Sequence, residues 1–387
     1  ICNFGDTHFV MSSGVEQSSS DLQNNEGQSG DNLYTTSPNH DLYLHFLKIG
    51  EIGSNLTEEA KAFNQCSPKA KLDYVTLNNG AKIPIVGLGT WQSPPGEVKE
   101  AVINAIDCGY RHLDCAYVYR NEEEVGNGIK QAIKAGKVRR EELFITSKCW
   151  LTFFSEERVE KCCRLSLSKL QLDYLDLYLV HWPIPLKEDD DNIYPVDDQG
   201  KVVFSNVDIT ETWRGMERCV ELGLVRSIGV SNFNSQQIER ILKVAKIKPV
   251  TNQVECHPYL NQKKLIDFCH ERGIRVTAYS PLGSWPRKMT ELDPPLLRQN
   301  PTVQHIASKH NKTPAQVLIK YQIQREVIAI PKSVNKQRIA ENIAVFDFEL
   351  SDEDMRALND LNQNFRYQKF DKFGLTEYFD HPFRVEF

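Results

Sequence analysis

Asp114, Tyr119, Lys148 and His181 are ionisable side chains of four different kinds, each at or just past the end of a largely apolar run. The runs read His112-Leu113-Asp114-Cys115-Ala116-Tyr117-Val118-Tyr119, Phe144-Ile145-Thr146-Ser147-Lys148-Cys149-Trp150 and Leu177-Tyr178-Leu179-Val180-His181-Trp182-Pro183. Such stretches suit parallel strands buried on both faces, and in a barrel of these strands reactive side chains gather at the C-terminal ends. A carboxylate, a phenol, an ammonium and an imidazole would then converge. That set can hold a proton, deliver it and stabilise the charge left behind. Singly, each has a plainer explanation: a structural ion pair for Asp114 or Lys148, a half-buried aromatic for Tyr119, a satisfied histidine for His181.

The elements that must position these groups can be traced from about Lys71. A hairpin is expected at Tyr74–Leu77 and Ala81–Ile83, turning at Asn78-Asn79-Gly80, since Asn-Gly favours tight turns. Strand-like runs follow at Val86–Gly89, Arg111–Asp114, Leu143–Lys148, Leu175–His181, Ser227–Ser231, Thr251–Glu255, Arg275–Ser280 and Val327–Pro331. Amphipathic stretches lie between them, at Val98–Cys108, Glu156–Lys169, Ile209–Leu222, Gln236–Val244, Lys263–Arg272 and Ala315–Gln322. This alternation predicts an α/β fold, a (β/α)8 TIM barrel over residues 71–387. A doubly wound dinucleotide-binding sheet shows the same alternation. Its fingerprint needs a third glycine, however, and Gly87-Leu88-Gly89-Thr90-Trp91-Gln92 has glutamine there.

Composition narrows the function classes. A net charge of -6 with 25% charged residues gives no reason to expect nucleic acid or an anionic membrane as partner. The ten cysteines form neither a Cys-x-x-Cys pair nor a zinc-like cluster, and no secretory leader opens the chain, so reduced thiols in the cytoplasm are expected. The Asn-x-Thr sequons at Asn55 and Asn311 then read as accidental. Residues 1–70 are rich in Ser, Asn, Gln and Gly; they are expected to form a disordered extension, apart from a short helix near Thr57–Phe63. With Ile1 first, the chain is expected to be either a fragment or one that includes translated upstream sequence, with Met11 as a candidate start.

From about Leu72 to Phe387 the chain resembles the aldo-keto reductases of the aldose/aldehyde reductase branch. The resemblance rests on Gly89-Thr90-Trp91, Asp114-Cys115-Ala116 with Tyr119, Ser147-Lys148-Cys149-Trp150, His181-Trp182-Pro183, Gly229-Val230-Ser231-Asn232-Phe233, Asn252-Gln253-Val254-Glu255, Tyr279-Ser280-Pro281-Leu282-Gly283 and Ile330-Pro331-Lys332-Ser333, in this order. It implies a monomeric barrel that reduces small-molecule carbonyls with NADPH, held without a Rossmann domain. Hydride addition to a carbonyl leaves an alkoxide that must take up a proton, so the site needs a donor more acidic than an ordinary phenol. Tyr119 is the candidate, its pKa expected to be lowered by Lys148, which Asp114 holds in place. His181, as a neutral imidazole, would orient the substrate oxygen. Glutamate stands at this position in a branch that reduces carbon-carbon double bonds; histidine favours carbonyl reduction.

By the same resemblance Tyr279 would stack on the nicotinamide, with Ser231, Asn232 and Gln253 on its carboxamide and Thr90, Trp91 and Asp114 nearby. Ser280, Leu282 and Ser284 would line the pyrophosphate, Lys332, Ser333 and Arg338 the 2'-phosphate, and Glu341 and Asn342 the adenine. A cation cluster of this kind prefers NADP to NAD. Trp91, Trp150 and Trp182, with Tyr119 and His181, would form an aromatic cleft for aldehydes. The segments Asn364–Phe370 and His381–Phe387 resemble the family's C-terminal substrate loop and tail, but no cysteine follows Cys269, so the reactive cysteine of many aldose reductases is missing. Other readings remain: a nucleotide-binding non-enzyme, as crystallins and channel subunits of this family are, or an NAD-linked dehydrogenase.

Overall fold

The structure is a computed structural model that describes residues 73–284 and 294–387. The expected extension 1–70, with its short helix and Asn55, lies outside the described residues. The hairpin forms as expected: β1 (Tyr74–Thr76) pairs antiparallel with β2 (Lys82–Pro84). Gly80 takes φ 85° in the turn, which suits glycine. Asn78 Nδ2 donates to Pro249 O (2.8 Å) and Asn79 Nδ2 to Ser227 Oγ (2.9 Å). These residues precede barrel strands, so the hairpin sits at the barrel's N-terminal end.

Eight parallel strands follow in sequential order: β3 (Leu88–Gly89), β4 (His112–Asp114), β5 (Phe144–Cys149), β6 (Leu177–Val180), β7 (Ile228–Ser231), β8 (Thr251–Glu255), β9 (Arg275–Tyr279) and β10 (Ile328–Ala329). The first and last strands meet: Gly87 N donates to Ala329 O (2.9 Å), Ala329 N to Ile85 O (2.8 Å) and Gly89 N to Pro331 O (3.1 Å). The sheet is thus a (β/α)8 barrel, as the alternation predicts. β3 to β8 are buried on every residue; β6 accordingly reads as a continuous apolar run, whereas β4, β5 and β8 carry buried polar residues toward the site.

The helices are α1 (Val98–Asp107), α2 (Glu122–Lys134), α3 (Glu156–Leu170), α4 (Ile209–Glu221), α5 (Ser235–Val244), α6 (Lys263–Glu271), α7 (Pro301–Lys309), α8 (Pro314–Ile323), α9 (Lys336–Ile343) and α10 (Asp352–Asn359). Of these α2, α7, α9 and α10 join the helices expected from sequence. α5, α8 and α10 start with capping boxes, Asn234/Gln237, Thr313/Gln316 and Ser351/Asp354, which satisfy otherwise orphaned N–H groups. α2 and α3 approach closely at Gly126, where an added Cβ would lie 2.5 Å from Leu170 O.

After α10 the chain crosses the C-terminal ends of the strands. Gln363 N and Phe365 N donate to Tyr259 O, Tyr367 N and Gln368 N to the Glu255 carboxylate at 2.7 and 2.9 Å, and Asn234 Nδ2 to Pro382 O. Glu255, buried at the end of β8, also takes a 2.9 Å contact from His257 Nε2. Glu255, Tyr259 O and Asn234 together hold the C-terminal segment in place.

Candidate active site

The strand ends bring the four sequence-predicted groups together. Asp114 ends β4, Lys148 lies near the end of β5 and His181 follows β6. Tyr119 ends a single 3-10 turn, Tyr117–Tyr119, that folds back after β4. Lys148 Nζ, fully buried, donates to Asp114 Oδ2 (2.7 Å), Cys115 O (2.8 Å) and Tyr119 Oη (3.3 Å). A buried ammonium requires such partners.

The expected acidification of Tyr119 does not occur. Burial, and then the Asp114 carboxylate, hold its phenol well above the ordinary value of 10. Lys148 Nζ sits closer to Asp114 than to the phenol, so its charge is largely neutralised there. Tyr119 consequently keeps its proton at neutral pH. Burial, and then Lys148, hold His181 well below 6.5, so its ring is neutral, as expected. It packs edge-on to Tyr119 and Trp150, at 5.7 and 5.4 Å between ring centroids, and its buried Nδ1 has no hydrogen-bond partner.

A polar chain runs from this cluster along β7 to β9. Gln253 Nε2 donates to Asp114 Oδ1 (2.8 Å), Ser231 Oγ to Gln253 O (2.8 Å), Asn232 Nδ2 to His181 O (2.9 Å) and Ser231 Oγ (3.1 Å), and Tyr279 Oη to Asn232 Oδ1 (2.8 Å). Ser231, Asn232, Gln253 and Tyr279 are thus adjacent, at one wall of the site. Asn232 and Ser280 adopt φ 63° and 48°, left-handed turns that redirect the chain as it leaves β7 and β9. Thr90 Oγ1 donates to Asp114 O (2.8 Å), and Trp91 beside it is half-buried.

Ser280, Leu282 and Ser284 occupy the loop after β9, where Ser284 Oγ accepts from Gln368 Nε2 (3.1 Å). Lys332, Ser333 and Arg338 lie past β10 and at the start of α9, followed by Glu341 and by Asn342, which is buried. Lys332 Nζ donates to Gln92 O (3.1 Å), and burial lowers its pKa. Arg298 was not foreseen here; burial, and then the charge of Arg338, lower its pKa. No sequence signal ties Arg298 to Arg338, which lie 40 residues apart in the chain.

Trp150 and Trp182 wall the opposite side. Trp150 is almost fully buried, donates Nε1 to Ile193 O (2.8 Å), and packs edge-on to Tyr194 at 5.5 Å. Trp182 stacks on Phe370 at 3.9 Å between centroids. Tyr194 and Phe370 had no assigned role in the sequence, although Phe370 falls in the segment read as a substrate loop.

Comparison with known proteins agrees with this architecture. The Aldo/keto reductase family model matches residues 85–363. The chain is 51% identical to aldo-keto reductase family 1 member A1 of Mus musculus over 294 residues, 76% of this chain and 90% of that protein. The Homo sapiens protein of the same name gives 51% identity over the same shares. The solved aldose reductase of Schistosoma japonicum superposes with a TM-score of 0.76 at 47% identity, covering 81% of this chain and all of that one. With the motifs in order and the barrel closed around them, the chain belongs to the aldo/keto reductase family.

Proposed function

We propose that the protein is an NADPH-dependent reductase of aldehydes, including aldoses and aromatic and lipid-derived aldehydes, with ketones as further substrates. The observation that carries this reading is the Tyr119 phenol oxygen, 3.3 Å from a buried Lys148 that is itself paired with Asp114. When bound, the nicotinamide cofactor supplies the hydride. Tyr119 gives its proton to the oxygen that becomes the alcohol, and Lys148, with Asp114, stabilises the phenolate left behind. His181, neutral and beside Tyr119, orients that oxygen. The chain's donor set fits a phosphorylated dinucleotide: Tyr279 with Ser231, Asn232 and Gln253 for the ring, Ser280, Leu282 and Ser284 for the pyrophosphate, and Lys332, Ser333 and Arg338, now with Arg298, for the 2'-phosphate.

The names of the relatives, an aldo-keto reductase and an aldose reductase, support the reaction class. The described cysteines, free and nearly all buried, support a cytoplasmic setting. Among the described residues no helix is long and apolar enough to cross a membrane.

The test is NADPH oxidation by the purified chain against glyceraldehyde, a nitrobenzaldehyde, glucose, a long-chain enal and a ketosteroid, repeated with NADH. Turnover with NADPH supports the reductase. Nucleotide binding without turnover on any of them would favour the non-catalytic homologue instead. Neutralising Lys332 and Arg338 should weaken NADPH more than NADH; equal weakening would move the phosphate site elsewhere.

A further inference from the structure

Glu122 opens α2 just after the Tyr119 turn, yet it is buried, with 1% of its surface exposed. Its Oε1 accepts a 2.6 Å hydrogen bond from Ser147 Oγ, and Ser147 immediately precedes Lys148 in β5. Successive side chains of a strand point to opposite faces. Lys148 therefore enters the barrel while Ser147 faces the helices, where its hydroxyl also lies 3.4 Å from Ser166 of α3.

The turn that carries Tyr119 is held on two sides by these contacts. Asn121 Nδ2 donates to Thr90 O (2.9 Å) beyond β3, and Glu122 takes the β5 side. Between Tyr119 and Asn121, Arg120 sits at φ 57°, a left-handed conformation that a non-glycine residue keeps where its surroundings fix it. Glu122 is a poor choice for stability alone. Its Oε2 is buried without a partner, and burial holds the carboxyl above its ordinary value.

We propose that Glu122 is a positioning residue for carbonyl reduction: through Ser147 it locks the Tyr119 turn to the strand that carries Lys148. This rests on Tyr119 being the proton donor, as proposed above. The Tyr119–Lys148 contact, at 3.3 Å, is near the limit of a hydrogen bond, so a small shift of the turn breaks it. Displacements of that size cost up to about 100-fold in rate.

The experiment compares Glu122→Ala, Glu122→Gln, Ser147→Ala and Tyr119→Phe with the unaltered full chain, using NADPH and an aldehyde the latter reduces. Turnover at saturation, NADPH affinity by fluorescence quenching, thermal midpoint and the solvent deuterium isotope effect are read for each. Glu122→Ala and Ser147→Ala should lose about 10- to 100-fold in kcat with NADPH affinity kept, and their solvent isotope effect should rise as proton transfer becomes slower. Glu122→Gln retains an acceptor oxygen for Ser147 and should stay within about 3-fold. If Glu122→Ala does not fold, Ser147→Ala decides. Wild-type turnover and isotope effect in the folded Ala variants overturn the positioning role while Tyr119→Phe is inactive. An active Tyr119→Phe sinks the donor assignment and this inference with it.

Discussion

Tyr119 and Lys148 divide the chemistry differently from what their residue types suggest. An ammonium beside a phenol ordinarily lowers its pKa, but here burial and the Asp114 carboxylate outweigh it, and the phenol stays protonated. In the mechanism proposed above, the ammonium would act after the proton has left, by stabilising the phenolate. Tyr119→Phe should lower carbonyl reduction by about 100- to 10,000-fold while NADPH binding is retained, since one proton donor is removed and no described cofactor contact. Turnover and a binding titration on the same sample check it, and unchanged turnover would refute the assignment. The four groups proposed to react were legible in the sequence because Asp114, Lys148 and His181 sit at strand ends within motifs and Tyr119 follows β4 by a single turn. Glu122 was not, because its partner Ser147 reaches it only through the fold; nor was Arg298, on which the charge of Arg338 acts across 40 residues of chain.

At the scale of elements, the strands were easier to read than the helices. Short runs ending in a polar motif residue mark β4, β5 and β6, whereas α2 opens with Glu122-Glu123-Glu124 and carries Gly126 and Gly128, which hide its buried face of Val125, Ile129 and Ala132. The acidic first turn suits the helix dipole, and the glycines admit neighbouring helices. At Gly128 an added Cβ would lie 2.9 Å from Lys99 O of α1. α9 shows only Ile339 and Ile343 as buried apolar residues, too few for a visible period. Gly126→Ala should destabilise the barrel by about 1–3 kcal/mol, because the methyl meets the backbone of Leu170 rather than a movable side chain. Urea denaturation gives the value. A neutral result would mean that α2 and α3 can separate without loss.

Across the whole molecule, burial of neutral histidines sets the response to acid. Burial pushes His112 down to about 4, and His381 also down to about 4; His181 lies well below 6.5. The unfolded chain therefore takes up these protons first, so stability falls as pH drops through 6.5 and keeps falling to about 4. His112 alone should account for about 3 kcal/mol of that loss between pH 7 and pH 4. Equal denaturation midpoints at pH 7 and pH 5 would show that these rings are not held neutral.

The seam between the start of the barrel and β10 carries a different consequence. Ile85 and Gly87 pair with Ala329, so a ribosome has made most of the barrel before the partner of its first strand exists. Until then the nascent chain presents two open sheet edges, the kind of surface that invites pairing with a neighbouring polypeptide. Ring closure waits until Ala329 has been made, and the wall formed by Phe370 on Trp182 comes later still. Stalling before Ile328 should leave a chain that depends on chaperones for solubility, whereas a chain that includes Ile328–Ala329 can close the seam and leave no open edge in its barrel.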